Sequence, residues 1–377
     1  MNKQSDSEID HSTELPQPQT KKLPTVLTGW QLFAKATLLS LGITLVLLFI
    51  TGIAIGAWGY TKLNTFLTHA ELTLPETRTL LETGLESEPK HTENITTILF
   101  MGLDSLDTRP GSPQLTDTMM LIFINYDTGQ ITTLPLPRDI WSDAYKTKIN
   151  ALYHYGLERY PNEPERFPRE VISELTQLPI HYTMVVSMDT VSDLIDLMGG
   201  LTLDIPTGFT DAAFPRTDVD VTQVSDPSLL YETVSFEAGE QTLPSSKVLQ
   251  YIRSRKSSDE VEGTDLARSK RQQLVISSIA AQLLQPETLK NPVLMGTLFQ
   301  FYNHTFSSQL PIIDAISIAK KIQPVSHDVH IQTATIPVYP EDQEGVITHP
   351  PQTKYSVWVY EILSPELFRD YVQTQIK

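Results

Sequence analysis

The chain has 377 residues, 40% of them hydrophobic and 19% charged, which supports a packed domain and excludes a wholly disordered protein. Lys and Arg total 28 against 45 Asp and Glu, and the formal charge of −17 offers no global attraction to nucleic acid or to an anionic membrane surface, so an anionic ligand needs a local basic cluster. Cysteine is absent, which excludes disulfides, thiolate zinc sites, iron–sulfur clusters and cysteine nucleophiles together.

In chain order, residues 1–35 form a polar tail containing Pro16 and Pro18. Residues 36–61 carry no charge, and their centre, LLSLGITLVLLFITGIAIGAW, has the length and composition of a transmembrane helix. The long polar stretch ahead of it and the lack of an A-x-A site favour an uncleaved anchor over a signal peptide. Lys21, Lys22 and Lys35 precede the span and Lys62 follows it closely, so the positive-inside bias places the N-terminus in the cytoplasm and the rest outside. Residues 62–93, with runs such as ETRTLLETGLE, suit a stalk or a first helix lying on the domain.

The remainder, 94–377, reads as one domain with a core over 96–284 and a C-terminal completion over 291–377. TTILFMGLD is a buried-strand pattern, DTMMLIFINYD a second strand closed by the turn DTGQ, and ITTLPLP a third; the short turn makes the last two antiparallel neighbours. PREVISELTQL, MDTVSDLIDLMGG and SKRQQLVISSIAAQLL are helical runs that can cover the sheet. Residues 217–235 read as a polar insertion or long loop, followed by a turn, a helix over 245–250 and an extended segment carrying arginines. PIIDAISIAKK then predicts a helix, HIQTATIPVY a strand and SPELFRDYV a closing helix. The expected class is α/β, an α-β-α sandwich-like arrangement with a mixed central sheet covered by helices and one N-terminal transmembrane helix.

Arginines concentrate where the chain is otherwise acidic: Arg253, Arg255, Lys256, Arg268, Lys270 and Arg271 fall close together, with Asp259, Glu260, Glu262 and Asp265 between them. In a strand Arg253 and Arg255 point the same way, and in a helix Asp265 shares a face with Arg268, as do Arg271 and Gln272. Guanidinium forks converging from two elements match phosphate oxygens; the alternative is a solvated, ion-paired helix. Asp104 follows the first strand and Asp117 opens the second, a minimal carboxylate cradle for Mg²⁺, or else two loop-capping aspartates. Arg138 and Lys148 add positive charge that can meet the same edge.

Other patterns carry less. DVDVT at 218–222 fits D-x-D-x-T but lacks the preceding apolar strand, His327 and His330 have no third ligand nearby, and Asn94 and Asn303 sit in N-x-T sequons. No P-loop, G-x-S-x-G or H-E-x-x-H occurs.

The ordered series ILFMGLDS, TDTMMLIFIN, PLPRD, KINALYHYG, LMGGLTLDIP, FEAGEQTL, VLQYIRSRK and TDLARSKRQQ resembles the LytR-CpsA-Psr family over roughly 96–284, with a weaker fit beyond, and the N-terminal tail and single helix match that family's layout. The resemblance implies a membrane-anchored, extracytoplasmic enzyme of the bacterial envelope. It would move a glycopolymer from a polyprenyl-pyrophosphate carrier to peptidoglycan through a phosphodiester at the muramic acid 6-hydroxyl. It further implies Mg²⁺ held by Asp104 and Asp117, and pyrophosphate and catalysis served by Arg138, Arg253, Arg255 and Arg268, with Lys148 and Gln272 nearby. Asp265 would orient Arg268 or act as base, and an apolar tunnel between sheet and helices would take the lipid. The chain departs from the family pattern at Leu106 and Leu115, where arginines are frequent, with Arg109 between them, and at Pro244, Ser245, Ser246 and Thr264. Two other functions remain compatible: a polyprenyl-pyrophosphate phosphatase using the same groups, and a noncatalytic lipid-binding scaffold or regulator.

Overall fold

The computed structural model describes residues 29–103, 114–216, 219, 226–257, 259, 261–325 and 330–376. The chain divides into two units, 1–61 and 62–377. Helix α1 (Gly29–His69) is 41 residues long, and its stretch Thr44–His69 is long and apolar enough to cross a membrane by length and composition. Its large apolar side chains, Leu45, Leu48, Phe49 and Ile53 among them, face outward.

Helix α2 (Leu74–Glu86) opens on a capping box between Thr73 and Glu76. Then follow β1 (Ile95–Leu103), β2 (Thr116–Asn125), β3 (Gln130–Pro135), the hairpin β4 (Trp141–Ser142) and β5 (Thr147–Lys148), α3 (Leu152–Arg159), α4 (Arg166–Thr176), β6 (Tyr182–Ser187) and α5 (Met188–Leu197). Next come β7 (Leu201–Ile205), β8 (Phe209–Pro215), β9 (Tyr231–Phe236), β10 (Gly239–Leu243), α6 (Ser245–Arg253) and α7 (Asp265–Leu283). The chain closes with α8 (Pro286–Leu289), α9 (Pro292–Phe306), α10 (Ile312–Ile322), β11 (His330–Thr333), β12 (Val338–Tyr339), β13 (Ile347–Thr348), α11 (Gln352–Tyr355), β14 (Glu361–Ile362) and α12 (Pro365–Thr374).

The central sheet has five strands in the order β11-β3-β2-β1-β6. It is mixed: β2 is antiparallel to β1 and β3, while β6 runs parallel to β1 and β11 parallel to β3. Strand alternation sends neighbouring side chains to opposite faces. Leu99, Met101, Leu121 and Phe123 therefore pack with Leu152 of α3, Phe167 and Val171 of α4 and Phe368 of α12, while Ile98 and Ile124 pack with Tyr182 and with Ile318 and Ile322 of α10. Helices thus cover both faces, the mixed α/β class expected from the sequence. Helix α2 lies on α10, where Gly84 allows close approach: an added Cβ would come within 2.7 Å of Ile316 Cγ2. A separate apolar cluster joins β7 to β10 with α6 and α7 through Leu203, Phe209, Phe236, Val248, Tyr251 and Val275.

Two segments differ from their expected form. The polar stretch 217–235 ends in strand β9, because Val234 and Phe236 alternate into the core opposite Asp211 and Phe209. The arginine segment, expected to be extended after a helix over 245–250, departs the other way: α6 continues to Arg253, carried by the buried face of Val248, Tyr251 and Ile252, and residues 254–256 are irregular. Arg253 and Arg255 therefore owe their directions to different backbone conformations.

Candidate functional site

The sheet face that carries Ile98 also builds a cavity. With period two along β1, Phe100 and Gly102 follow Ile98 on that face, and the register places Met184 and Val186 of β6 beside them on one side and Thr118 of β2 on the other. These five residues are the floor of an apolar cavity of about 290 Å³ roofed by Val191 and Leu194 of α5, Val275, Ile276 and Ile279 of α7, and Phe301 and Phe306 of α9. At Gly102 an added Cβ would stand 3.2 Å from Thr118 Cβ, so the glycine keeps the floor low.

A second cavity, about 160 Å³, is lined by Arg253, Arg255 and Arg268 together with Asp117, Gln272, Met188, Ile252, Phe214 and Pro215. Asp117, Met188, Ile252 and Gln272 line both volumes, so the apolar cavity adjoins an arginine-lined mouth. One turn of α7 brings Arg268 and Gln272 to the same side. Arg253 lies with its guanidinium 5.9 Å from the centre of the Phe214 ring, within cation–π range.

At the strand edge, alternating charges form a chain. Arg138 Nη1 donates to Asp117 Oδ1 at 2.6 Å, Arg138 Nε lies 3.7 Å from Asp139 Oδ2, and Lys148 Nζ donates to Asp139 Oδ1 at 2.6 Å. All four side chains are between 16% and 31% exposed, partly desolvated and hence better coupled than surface pairs. The structure thus gathers Asp117, Arg253, Arg255, Arg268 and Gln272 at one mouth, joins Arg138 to it through Asp117, and links Lys148 to Arg138 through Asp139, a residue that carries no signal of its own in the sequence. Asp104, Leu106 and Arg109 lie outside the described residues, as do His327, Asp218, Asp220 and the side chain of Asp265; Leu115 lines neither cavity.

For a divalent cation, the described residues supply one hard carboxylate at the mouth, Asp117, shared with Arg138. No group of three or more His, Asp and Glu side chains suited to a metal occurs among the described residues. A donor set this small fits Mg²⁺, which takes one or two carboxylates and completes its octahedron with phosphate and water oxygens.

Arg271 does not share the mouth with Arg268. It is 3% exposed and turned inward: Nε donates to the Tyr251 carbonyl (3.0 Å), Nη2 to the Ser254 carbonyl (2.6 Å), and Nη1 to the carbonyl and carboxylate of Glu262 (3.0 and 2.8 Å). Its guanidinium also stacks 4.7 Å from the Phe209 ring centre. Buried carbonyls at the end of α6 claim it because the irregular backbone there has no helical partner for them. Arg271→Leu strands those acceptors and a half-buried carboxylate, so urea unfolding should show a loss of about 3–5 kcal/mol; a change under 1 kcal/mol would contradict this role.

Asp211 of β8 is the second buried charge beside this segment, 1% exposed. Burial alone would raise its carboxyl pKa, but hydrogen bonds from Ser254 Oγ and from the N–H groups of Lys256, Ala213 and Arg255 outweigh it and hold the group below the usual aspartate value. Its contribution to stability is therefore complete above the ordinary aspartate range and is lost as pH falls through the depressed value. Neither Asp211 nor the inward turn of Arg271 has a local signature in the sequence.

An α/β domain with an apolar cavity adjoining an arginine-lined mouth is suited to an amphiphile with an anionic head. This chain belongs to the LytR_cpsA_psr family, whose profile matches residues 64–361. It is 27% identical over 188 residues to polyisoprenyl-teichoic acid–peptidoglycan teichoic acid transferase TagV of Bacillus subtilis (strain 168), a match covering 48% of this chain and 42% of that protein. It is 30% identical over 257 residues to the cell wall biosynthesis protein LcpA of Corynebacterium glutamicum, covering 61% and 44% respectively. The chain spans about half the length of the curated relatives it matches. Among solved structures, the crystal structure of B. subtilis TagV superposes with a TM-score of 0.48 at 19% identity, covering 76% of this chain and 98% of that one.

Proposed function

We propose that this protein transfers a glycopolymer from a polyprenyl-pyrophosphate carrier to peptidoglycan, forming a phosphodiester at the muramic acid 6-hydroxyl. The observation that carries the reading is the junction of the two cavities: a prenyl chain fits the apolar one while its pyrophosphate meets Arg253, Arg255 and Arg268 at the other. Family membership and relatives named as teichoic acid transferases support the same chemistry.

In the reaction, the acceptor hydroxyl loses its proton and its oxygen bonds to the phosphorus that carries the glycan. The bridging P–O bond of the pyrophosphate breaks, and the electron pair leaves on polyprenyl phosphate. Such a transition state asks for positioning and positive charge more than for a protein nucleophile. Arg253, Arg255 and Arg268 hold the phosphates, Arg138 keeps Asp117 oriented, and Gln272 donates from the turn after Arg268. Asp265, three residues before Arg268, accepts the hydroxyl proton or orients Arg268. Mg²⁺, held by Asp117 and, by the sequence resemblance, Asp104, would neutralise developing charge on the phosphates. The anchor, with the domain outside the cytoplasm, confines the enzyme to the plane of a lipid-borne substrate and raises its effective concentration.

The test is a transfer assay with the full chain in vesicles, using a polyprenyl-pyrophosphoryl sugar, peptidoglycan oligomers and Mg²⁺. The expected result is sugar linked to glycan, abolished by chelator and restored by added Mg²⁺. Phosphate release without linkage would replace the reading with a hydrolase, and bound lipid without turnover would replace it with a scaffold.

A further inference from the structure

We propose that Asp211 is a positioning residue that sets the arginine pair at the mouth, by locking the irregular backbone between Arg253 and Lys256 from beneath. The inference rests on the reading of that mouth as a pyrophosphate site. Residues 254–256 belong to no helix or strand, so no regular ladder fixes where Arg255 leaves the chain. Arg271 holds the carbonyl side of the Ser254–Arg255 peptide, and one carboxylate holds the N–H side and the peptide after it. Asp211 Oδ2 accepts from Ser254 Oγ at 2.5 Å, from the Arg255 N–H at 3.1 Å and from the Lys256 N–H at 3.0 Å, while Oδ1 accepts from the Ala213 N–H at 2.9 Å.

Three donors converging on one oxygen require the ionised form; a neutral amide offers one acceptor atom with less charge. The strand that carries Asp211 also walls the mouth, through Phe214 and Pro215. In a regular strand, residues three apart point to opposite faces. Here the β8–β9 register slips between Asp211 and Phe214, and both side chains are buried, so one bulge brings the carboxylate under the Arg255 backbone and the Phe214 ring under the Arg253 guanidinium. A single strand irregularity therefore addresses both arginines. A residue needed only for stability would have no reason to engage the two peptide N–H groups that follow Ser254 and to share its strand with the wall of the site.

The experiment compares binding of farnesyl pyrophosphate with binding of farnesol, using the full chain in detergent, for wild type and Asp211→Asn. Wild type should prefer the pyrophosphate strongly. In Asp211→Asn the affinity for the pyrophosphate should fall about tenfold or more, as for one lost hydrogen bond to a charged group, with farnesol binding unchanged. An undiminished preference for the pyrophosphate overturns the proposal, and so does an equal loss for both ligands, which marks a merely structural role. If Asp211→Asn does not fold, Ser254→Ala removes the shortest of the four bonds and should lower the same preference about threefold or more; no change there overturns the proposal as well. A wild type that binds both ligands alike defeats the pyrophosphate reading itself, an outcome distinct from the others.

Discussion

Arg255→Ala is expected to lower transfer by about 100-fold to 1000-fold, the effect of removing one preorganised donor from a developing charge, while leaving thermal unfolding within about 2 °C of wild type. The two halves of that expectation have separate grounds. Arg255 is exposed and lines the mouth, so truncating it leaves no cavity in the core. Its backbone N–H, held by Asp211, is untouched by the substitution. What disappears is a planar fork able to donate two parallel hydrogen bonds to one phosphate. Arg255→Lys restores charge but not the fork, and should recover only part of the activity. Transfer at the wild-type rate by Arg255→Ala would remove this side chain from the site and leave the phosphates to Arg253 and Arg268. The contrast with Arg271 is instructive: the same residue type, buried on α7 instead of exposed on the irregular segment after α6, should cost stability when replaced.

That contrast also marks how far the amino-acid sequence could be read. Strands β1, β2 and β3 are legible because β-branched and apolar runs end in turn residues, and the amphipathic α4 because Phe167, Val171 and Ile172 return at helical spacing. The spacing of four that unites Arg268 with Gln272 is local and survives folding. The division of labour between Arg268 and Arg271 is not local: it depends on the carbonyls of Tyr251 and Ser254, which lose their helical partners only because α6 ends where it does. Likewise Asp211 gains its role through a bulge and a contact 43 residues further along the chain, neither written in the residues around it. The apolar cavity stood in the sequence only through family resemblance. Its floor needs the register of three strands and its roof three helices, and any one of those patterns alone reads as ordinary core.

Ile276→Glu is the complementary test, directed at the tail of the ligand instead of its head. Ile276 lies on α7, lines the apolar cavity and is 51% exposed. In the free protein a carboxylate at that position can reach water, so the fold should tolerate it. A prenyl chain filling the cavity removes that water, and an ion left without a partner in apolar surroundings costs several kcal/mol. Affinity for a long polyprenyl pyrophosphate should therefore drop by about 100-fold or more, whereas binding of inorganic pyrophosphate, which needs only the arginines, should stay as in wild type. Ile276→Leu, apolar and similar in volume, should bind both ligands normally. Arg255→Ala should weaken both ligands, because the head group is common to them. If Ile276→Glu holds the lipid as tightly as wild type, the tail does not enter this cavity. The pyrophosphate would then sit at the arginine mouth with its tail along another surface, and the apolar space beneath would be no more than a gap between sheet and helices.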